Sequence, residues 1–568
     1  MFQLFFILLF IFPLSISAQG SGGFSYPVIN EPLITIVVDK EKGSDTSREA
    51  SELSPLASFD SVFTVLVNKT KGLKGDIPCA VQIKKGHYVL KETVEQTMSS
   101  FMPSGSGGPK LHISFIGIDD SVIMDGSPIK RVGGYGLLRI CGSNVRVSNL
   151  TILNAPSFGL VLGQTFARSK NVIVEQVIVK KSYCHGILLG DIDSKEQDTV
   201  LIKKCSFIET NTMNAQSSNT QWGSGLKLFG ASHVLVDSCY FYSNWSEAIS
   251  INDSKFVRIT RSTFIDNFAP SVYCDIAQYV TVDRNMFLST NDSTIFKTGK
   301  RGMVAVLLSS EAWSKTAIDH FTRGVDIHSN IMINQSGALD IWEGAVSFIQ
   351  KAYVQNIRFA FNSCFGMSSG KGSTNAGFIT TVYSTPFPPN RILNNMLIYG
   401  NIFSADPSKW SPNIWFRTNK DIAPAFTFRF NRWNRTFPGF GNFTNDDNAI
   451  LPDSFSLSML DLESLKKKVP SLSHVLEDFD GRKRNADSTM AGAFELSNQT
   501  GIFNLQTTGN TLVFDYFPQE RFIKPQHWQH GRIFCIDLLG KVRILEDELG
   551  SGIIPLPGKG PYFILQQQ

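Results

Sequence analysis

No CxxC pair occurs anywhere in this chain, so the commonest zinc and redox signatures are missing. Charged residues make up only 18% of it, and a formal net charge of +4 over 568 residues comes with no basic block. That balance gives no support to a nucleic-acid partner. Beyond the first residues, no apolar run is long enough to span a bilayer. No membrane association of the mature chain is therefore expected. The eight cysteines, Cys79, Cys141, Cys184, Cys205, Cys239, Cys274, Cys364 and Cys535, are too sparse for a disulfide-held scaffold. The sequence indicates no metal and leaves the cofactor unknown.

What is present begins with MFQLFFILLFIFPLSISAQG. Phe2 to Pro13 is apolar but short, and Ile16-Ser17-Ala18 puts a small residue at a cleavage point. Residues 1–18 read as a secretory signal peptide, although no Lys or Arg marks the n-region. The alternative is an N-terminal anchor. A secreted, extracellular protein is expected. N-x-S/T sequons stand at Asn68, Asn149, Asn244, Asn252, Asn291, Asn334, Asn434, Asn442 and Asn498, which would make it a glycoprotein where the sites are open.

The body of the chain repeats. Val145-Arg146-Val147 recurs at Val172, Val200, Val234, Val257 and Val280, with spacings of 27, 28, 34, 23 and 23 residues. Weaker copies start at Val325, Ile357, Met396 and Phe426. Each is a short strand with alternating apolar and polar positions. Five residues on comes Asn (Asn285, Asn330, Asn362, Asn401, Asn431) or, earlier, Cys205, Cys239 and Ser262. Two further on, Phe207, Phe241, Phe264, Phe287 and Phe403 recur. A second strand then opens on a small residue, as in Gly159-Leu160-Val161-Leu162 or Ala248-Ile249-Ser250-Ile251.

One coil is thus strand, turn, strand, turn. So short a β unit cannot bury its apolar face alone, but stacked coils can, each adding about 4.8 Å along an axis. Asn residues in register can then hydrogen-bond up and down a ladder, and the phenyl rings can stack. The long stretches Glu209 to Trp222, Leu288 to Arg323 and Gly366 to Arg391 read as loops inserted at corners.

This pattern resembles the right-handed parallel β-helix, pectate-lyase-like family of secreted proteins. The resemblance covers roughly residues 34–495. It is carried also by the opening IVVDKEKGSD, SPLASFDSVF and VQIKKGHYVL, in which Ser58 to Val67 looks like a helical cap. DFDGRKR (Asp478 to Arg484) with MAGAFE (Met490 to Glu495) resembles a closing motif. The implied fold class is all-β, a solenoid with an N-terminal helical cap. Residues 496–568, with strands at Leu512 to Phe514, Arg532 to Asp537 and Tyr562 to Leu565, read as a small C-terminal β extension or an extended cap.

In the aligned coils, His185, Ser224 and Glu247 share one column, and Leu188, Lys227, Ser250 and Tyr273 another. Asp275 and Asn267 fall in the next coil, and Trp222 and Trp245 lie ahead of the strands. Carboxylates, Lys and aromatics on one outer face suit a sugar polymer. In a hydrolase, Glu247 and Asp275 would be acid and base. In a lyase or epimerase, Lys227 or His185 would take a proton beside a uronate carboxylate and Tyr273 would donate one. The resemblance leans toward the second. Trp222, Trp245 and Asn267 would bind substrate. Neither the paired-Asp pattern of polygalacturonases nor a calcium-binding acidic cluster is visible. Each residue also has an ordinary reading. Glu247 is then a solvated charge, His185 a turn residue bonded to backbone, Lys227 the wet side of a strand, and the indoles a cover over a gap. Cys205 and Cys239 fit as small core residues. A non-catalytic glycan-binding or adhesion β-helix is the alternative function.

Overall fold

A computed structural model describes residues 26–95, 110–119, 121–130, 136–140, 142–163, 169–190, 197–213, 223–290, 303–311, 320–342, 351–366, 377–382, 390–404, 416–417, 422–433, 442–443, 449–450, 469–489 and 491–493, with 522–523, 532–537, 542–545, 554–555 and 562–567 near the C-terminus. The 1–18 segment, Trp222, Asn291, Asn434, Asn498 and Leu512 to Phe514 lie outside them, as does the side chain of Asn442.

The repeated valines fall on top of one another. Val172, Val200, Val234, Val257, Val280 and Val325 are successive partners in parallel strands, and Ile357, Met396 and Phe426 continue the row. Each coil has three strands rather than two. The Phe-bearing triplets, such as Tyr240–Tyr242 and Thr263–Ile265, form their own parallel column. Three residues are too few to show alternation, so the sequence displays them only as recurring single residues. In an early coil one strand, Lys170–Lys180, serves both columns. The third column holds Phe158–Leu162, Ile187–Leu189, Ser224–Phe229, Glu247–Asn252 and Val272–Asp275. It continues through Val304–Ser309 and Gly337–Trp342 to Gly377–Val382. Two stretches read as inserted loops therefore contain strands of this column. Ala305 occupies the small-residue position in the first of them, and Phe378 takes that position in the second.

The bend into the second column is made by a residue with positive φ: Lys204, Ser238, Arg261, Arg284, Ser329, Phe361, Gly400 or Phe430. This left-handed conformation is costly for most L-residues. The residue after each bend carries the compensation. The Nδ2 groups of Asn285, Asn330, Asn362 and Asn401 donate to the Oδ1 of the next Asn at 3.2, 2.9, 3.1 and 2.9 Å. Each Oδ1 also accepts a backbone N–H from the coil below, and each Nδ2 reaches a carbonyl. Ser262 extends the ladder to Cys239. The Cys239 and Cys205 thiols reach main-chain carbonyls. Both cysteines are free and buried, as small core residues. Beside the ladder, Phe207, Phe241, Phe264 and Phe287 stack with centroids 4.6, 4.8 and 4.8 Å apart.

At the start, the helix Val62–Thr70 buries Val62, Val65 and Leu66 against the first coil, a few residues later than the sequence suggests. The DFDGRKR segment does not close the end of the helix. It belongs to a strap, residues 469–489 and 491–493, lying along the flank. Glu477 pairs with Arg284, and its carbonyl accepts from Ser329 Oγ at 3.0 Å. The Arg484 guanidinium lies 4.6 Å from the Phe361 ring centroid, and Tyr399 donates to the Pro470 carbonyl at 2.7 Å. Of the motif's basic residues, Arg484 reaches the flank, at the Phe361 ring and Ser329 Oγ, and Arg482 pairs with Asp480 inside the motif. Near the C-terminus, Arg532–Asp537 pairs antiparallel with Val542–Leu545 and Tyr562–Gln567. Among the described residues no helix is long and apolar enough to cross a membrane.

Asn330→Ala would strip the ladder at mid-length, leaving the Asn285 N–H and the Val282 carbonyl without their partners. With a buried unpaired group costing about 1–3 kcal/mol, urea unfolding should show a loss of about 2–4 kcal/mol. A change below about 0.5 kcal/mol, the range of an ordinary surface substitution, would remove the ladder from the account of stability.

Candidate functional site

The third column carries its apolar side chains inward (Leu226, Leu228, Ile249, Ile251, Val272, Cys274), all buried. By the two-residue period of a strand, the alternate residues face out. Register then lines up Leu188, Lys227, Ser250, Tyr273, Leu307, Asp340 and Thr380 in one outward row. Asn252, Asp275 and Ser309 form the row beside it, with Ser224 and Glu247 on the other side. The proposed columns are therefore real neighbours, and His185 joins them through a bond from the Ser224 N–H to its Nδ1, 2.9 Å long.

Much of this outward face is covered. Ser250 and Asp275 are fully buried, and Glu247, Asn252 and Tyr273 nearly so, while Lys227, His185 and Glu311 are half-buried. A hydrogen-bonded chain runs across it. Lys227 Nζ donates to Ser250 Oγ at 3.0 Å, and Ser250 donates to Asn252 Oδ1 at 2.7 Å. Asn252 Nδ2 donates to Asp275 Oδ2 at 3.1 Å, and Asp275 Oδ1 accepts the Glu311 N–H at 2.7 Å. Glu247 Oε2 accepts from Ser224 and Ser246, each at 3.1 Å. Among the described residues no group of three or more His, Cys, Asp or Glu is placed to hold a metal ion.

Burial and charge set the protonation states. Burial pushes the Lys227 ammonium below its usual range, against the pull of Glu247, Asp275 and Glu311. Burial, with Asp275 and Glu311 nearby, holds the Tyr273 phenol protonated far above its usual range. Its hydroxyl faces Glu311 and Ser309 without closing a hydrogen bond of normal geometry. Glu311 is raised to about 7, first by burial and then by the Asp275 carboxylate. A carboxyl titrating near neutrality beside a lysine and a phenol can exchange protons with a bound substrate.

Glu311 is absent from the sequence-derived site because it falls in the stretch read as an insertion. The signal that could have found it is VAVLLS, whose Ala305 occupies the small-residue position. Four other expectations are corrected. His185 cannot act as the base. Its Nδ1 is occupied accepting the Ser224 N–H, so the neutral ring carries its proton on Nε2, and burial lowers its pKa to about 3. It is a hydrogen-bond acceptor in a built turn. Asn267 is not on the outer face. It is fully buried, with Oδ1 accepting from Asn244 Nδ2 at 2.8 Å and Nδ2 donating to the Phe241 carbonyl at 3.3 Å. Trp245 is half-buried at a corner rather than exposed. Finally, Asn244, Asn252 and Asn334 are buried with their amide nitrogens bonded to Phe207, Asp275 and Ser289. These sequons cannot carry glycans in the folded chain, so no glycan crowds Glu247 from Asn244. Asn68 and Asn149 are exposed.

The His185 assignment has a measurable sign. Between its ordinary value of 6.5 and about 3, the unfolded chain takes up a proton that the folded ring refuses. The fold therefore loses stability as pH falls through this window. His185→Gln, which keeps an acceptor for the Ser224 N–H, should flatten that dependence. Nitrogen NMR of the ring should show an Nε2–H tautomer at pH 5, and an imidazolium there would contradict it.

Residues 166–322 match the family described as "Right handed beta helix region". No curated protein matches the chain. Among solved structures it is similar to pectate lyase Pel9A, at 11% identity and TM-score 0.39, over 82% of this chain and 97% of that one. It is similar to the A-module of the Azotobacter vinelandii mannuronan C-5 epimerase AlgE6, at 12% and 0.34, over 64% and 94%. It is also similar to an alginate lyase from Paenibacillus sp. str. FPU-7, at 12% and 0.34, over 57% and 94%. With its parallel coils in register and that family match spanning its central strands, the chain is a right-handed parallel β-helix protein.

Proposed function

We propose that the protein is secreted and acts on a uronate-containing polysaccharide by lyase or epimerase chemistry at the outward face of the third column. The observation that carries this reading is the convergence of Lys227, Tyr273, Asp275 and Glu311 there, three of them with shifted protonation. The apolar segment at residues 1–18 supports the extracellular location.

Chemistry at the carbon beside a uronate carboxylate needs three things: a positive group to stabilise the charge that develops, a base for the proton, and a donor for the leaving oxygen or the returning proton. Lys227 supplies the positive charge, aimed by Ser250. Glu311, raised to about 7, is ionised in a large fraction of molecules at neutral pH and takes the proton. Tyr273, held protonated, donates. Asp275 fixes the Glu311 backbone and raises its carboxyl. Glu247, held by two serines, is placed to bind substrate hydroxyls. A second reading rests on the protonated share of Glu311 next to Asp275, which is the acid-with-carboxylate arrangement of a glycoside hydrolase.

Purified protein should be incubated with a panel of acidic and neutral polysaccharides. The readouts are ultraviolet absorbance of unsaturated uronates, proton NMR for inverted uronates, and reducing ends. Unsaturated or inverted uronates are expected, with turnover falling at least about 100-fold in Lys227→Ala, Tyr273→Phe and Glu311→Gln. The rate should rise with pH through a limb near 7 that Glu311→Gln removes. Reducing ends without unsaturation would favour the hydrolase. Binding without turnover would leave a glycan-binding protein, and turnover indifferent to all three substitutions would mean that the site lies elsewhere.

A further inference from the structure

The outward row continues past the Lys227 to Glu311 cluster into residues that take no part in the proton-transfer chemistry. Asp340 stands two coils beyond Tyr273, in the same register row. It is buried, and one carboxyl oxygen accepts from Thr380 Oγ1 of the next coil. Burial pushes its carboxyl up to about 7. The carboxyl folds back over Gly337, where a Cβ would sit 2.2 Å from Oδ1, so only glycine leaves it this space.

Two residues along the same strand, and so on the same face, is Trp342. It is 39% exposed, whereas Asn252, Asp275 and Ser309, which precede it in its own row, are buried. Its carbonyl accepts from Ser309 Oγ at 3.1 Å, which ties the end of the strand to the coil that leads into Glu311. The open indole therefore lies two coils from Asp275, roughly 10 Å along the axis.

An open aromatic side chain next to a carboxyl that a buried hydroxyl orients suits a sugar ring. The indole covers the apolar face of a pyranose, and the ring hydroxyls donate to the carboxyl. We propose that Trp342 and Asp340, the latter oriented by the fully buried Thr380, form a subsite for an uncharged pyranose of the polymer whose uronate reacts at the Lys227 cluster. The polymer then runs along the helix axis. A uronate here would set its carboxylate against Asp340 whenever that carboxyl is ionised, whereas a neutral ring offers hydroxyl donors. The substrate class is accordingly a heteropolysaccharide that combines uronate with neutral sugars. This assignment rests on the glycan reading of the Lys227 cluster.

The test is affinity electrophoresis in gels cast either with a heteropolysaccharide containing uronate and neutral sugars or with a pure polyuronate, run beside turnover assays. Wild-type protein, Trp342→Ala, Trp342→Phe, Asp340→Asn and Lys227→Ala are compared, with unchanged thermal unfolding as the check on folding. Trp342→Ala should weaken retention by the heteropolysaccharide about three- to tenfold, the range set by one aromatic contact. It should raise KM with little change in kcat, and Trp342→Phe should recover part of the loss. Lys227→Ala should keep binding and lose turnover. Retention of Trp342→Ala equal to wild type, with Lys227→Ala inactive, would overturn the subsite and leave the catalytic reading standing. An equal loss on the pure polyuronate would overturn the assignment of an uncharged ring. A wild-type protein neither retained by nor active on any polysaccharide would overturn both.

Discussion

The structure depends on the bend between the first and second strands of each coil. There the chain must take a left-handed backbone conformation that most residues resist, and it does so at Ser329, Phe361 and Phe430, none of them glycine. The asparagine after each bend holds it in place. Its amide bonds to the asparagine above, the one below and the main chain between, all buried. A slip of one residue in any coil would turn every side chain to the opposite face and break the ladder at two levels, so the ladder fixes register as well as the bend. The stacked phenyl rings alongside add dispersion and apolar burial, but they tolerate substitution more readily. Met332 and Cys364 stand in that column between Phe287 and Phe403 without loss of register.

Fixed register is what turns isolated polar residues into a candidate site. Lys227, Ser250 and Tyr273 are each separated by 23 residues in the chain, yet they occupy consecutive rungs about 4.8 Å apart. The third column differs from the first in what its outward face meets. On the first, Arg258 pairs with Asp283 and Arg261 with Asp237 near the surface, so charges are matched. On the third, Lys227 donates to a serine, Tyr273 has no well-formed partner and Glu311 is held against Asp275. Groups left electrostatically unsettled in a partly covered place have shifted pKa values, and that separates them from the solvated charges of an ordinary strand.

The periodic parts of the molecule were legible in the chain because their cause is local. Small residue, apolar, polar, apolar is a strand whatever lies next to it, and an Asn at a constant offset needs only a neighbour like itself. The errors arose where the cause is not local. Asn267 looks like a polar loop residue but belongs to a second interior ladder with Asn244. Asn244 and Asn252 match the acceptor motif in letters while their amides are spent inside the fold. Val304–Ser309 was hidden by the irregular stretch before it, and Glu311 with it. DFDGRKR has the look of a worn coil, but Arg484 lies on the Phe361 ring of the flank, while Arg482 pairs with Asp480 of the motif itself.

By itself the sequence determined the solenoid: the coil length, the direction of its faces, the asparagine and phenylalanine columns, and the alignment of Lys227 with Ser250 and Tyr273. These come from short-range alternation repeated at a fixed spacing. Only the tertiary structure decided which aligned residues have chemistry to do. It made His185 an acceptor for the Ser224 N–H, drew Glu311 to Asp275, and left Trp342 open where Asn252, Asp275 and Ser309 of its row are buried. Burial and hydrogen-bond partners come from chain segments far apart in the sequence, and no local pattern encodes them.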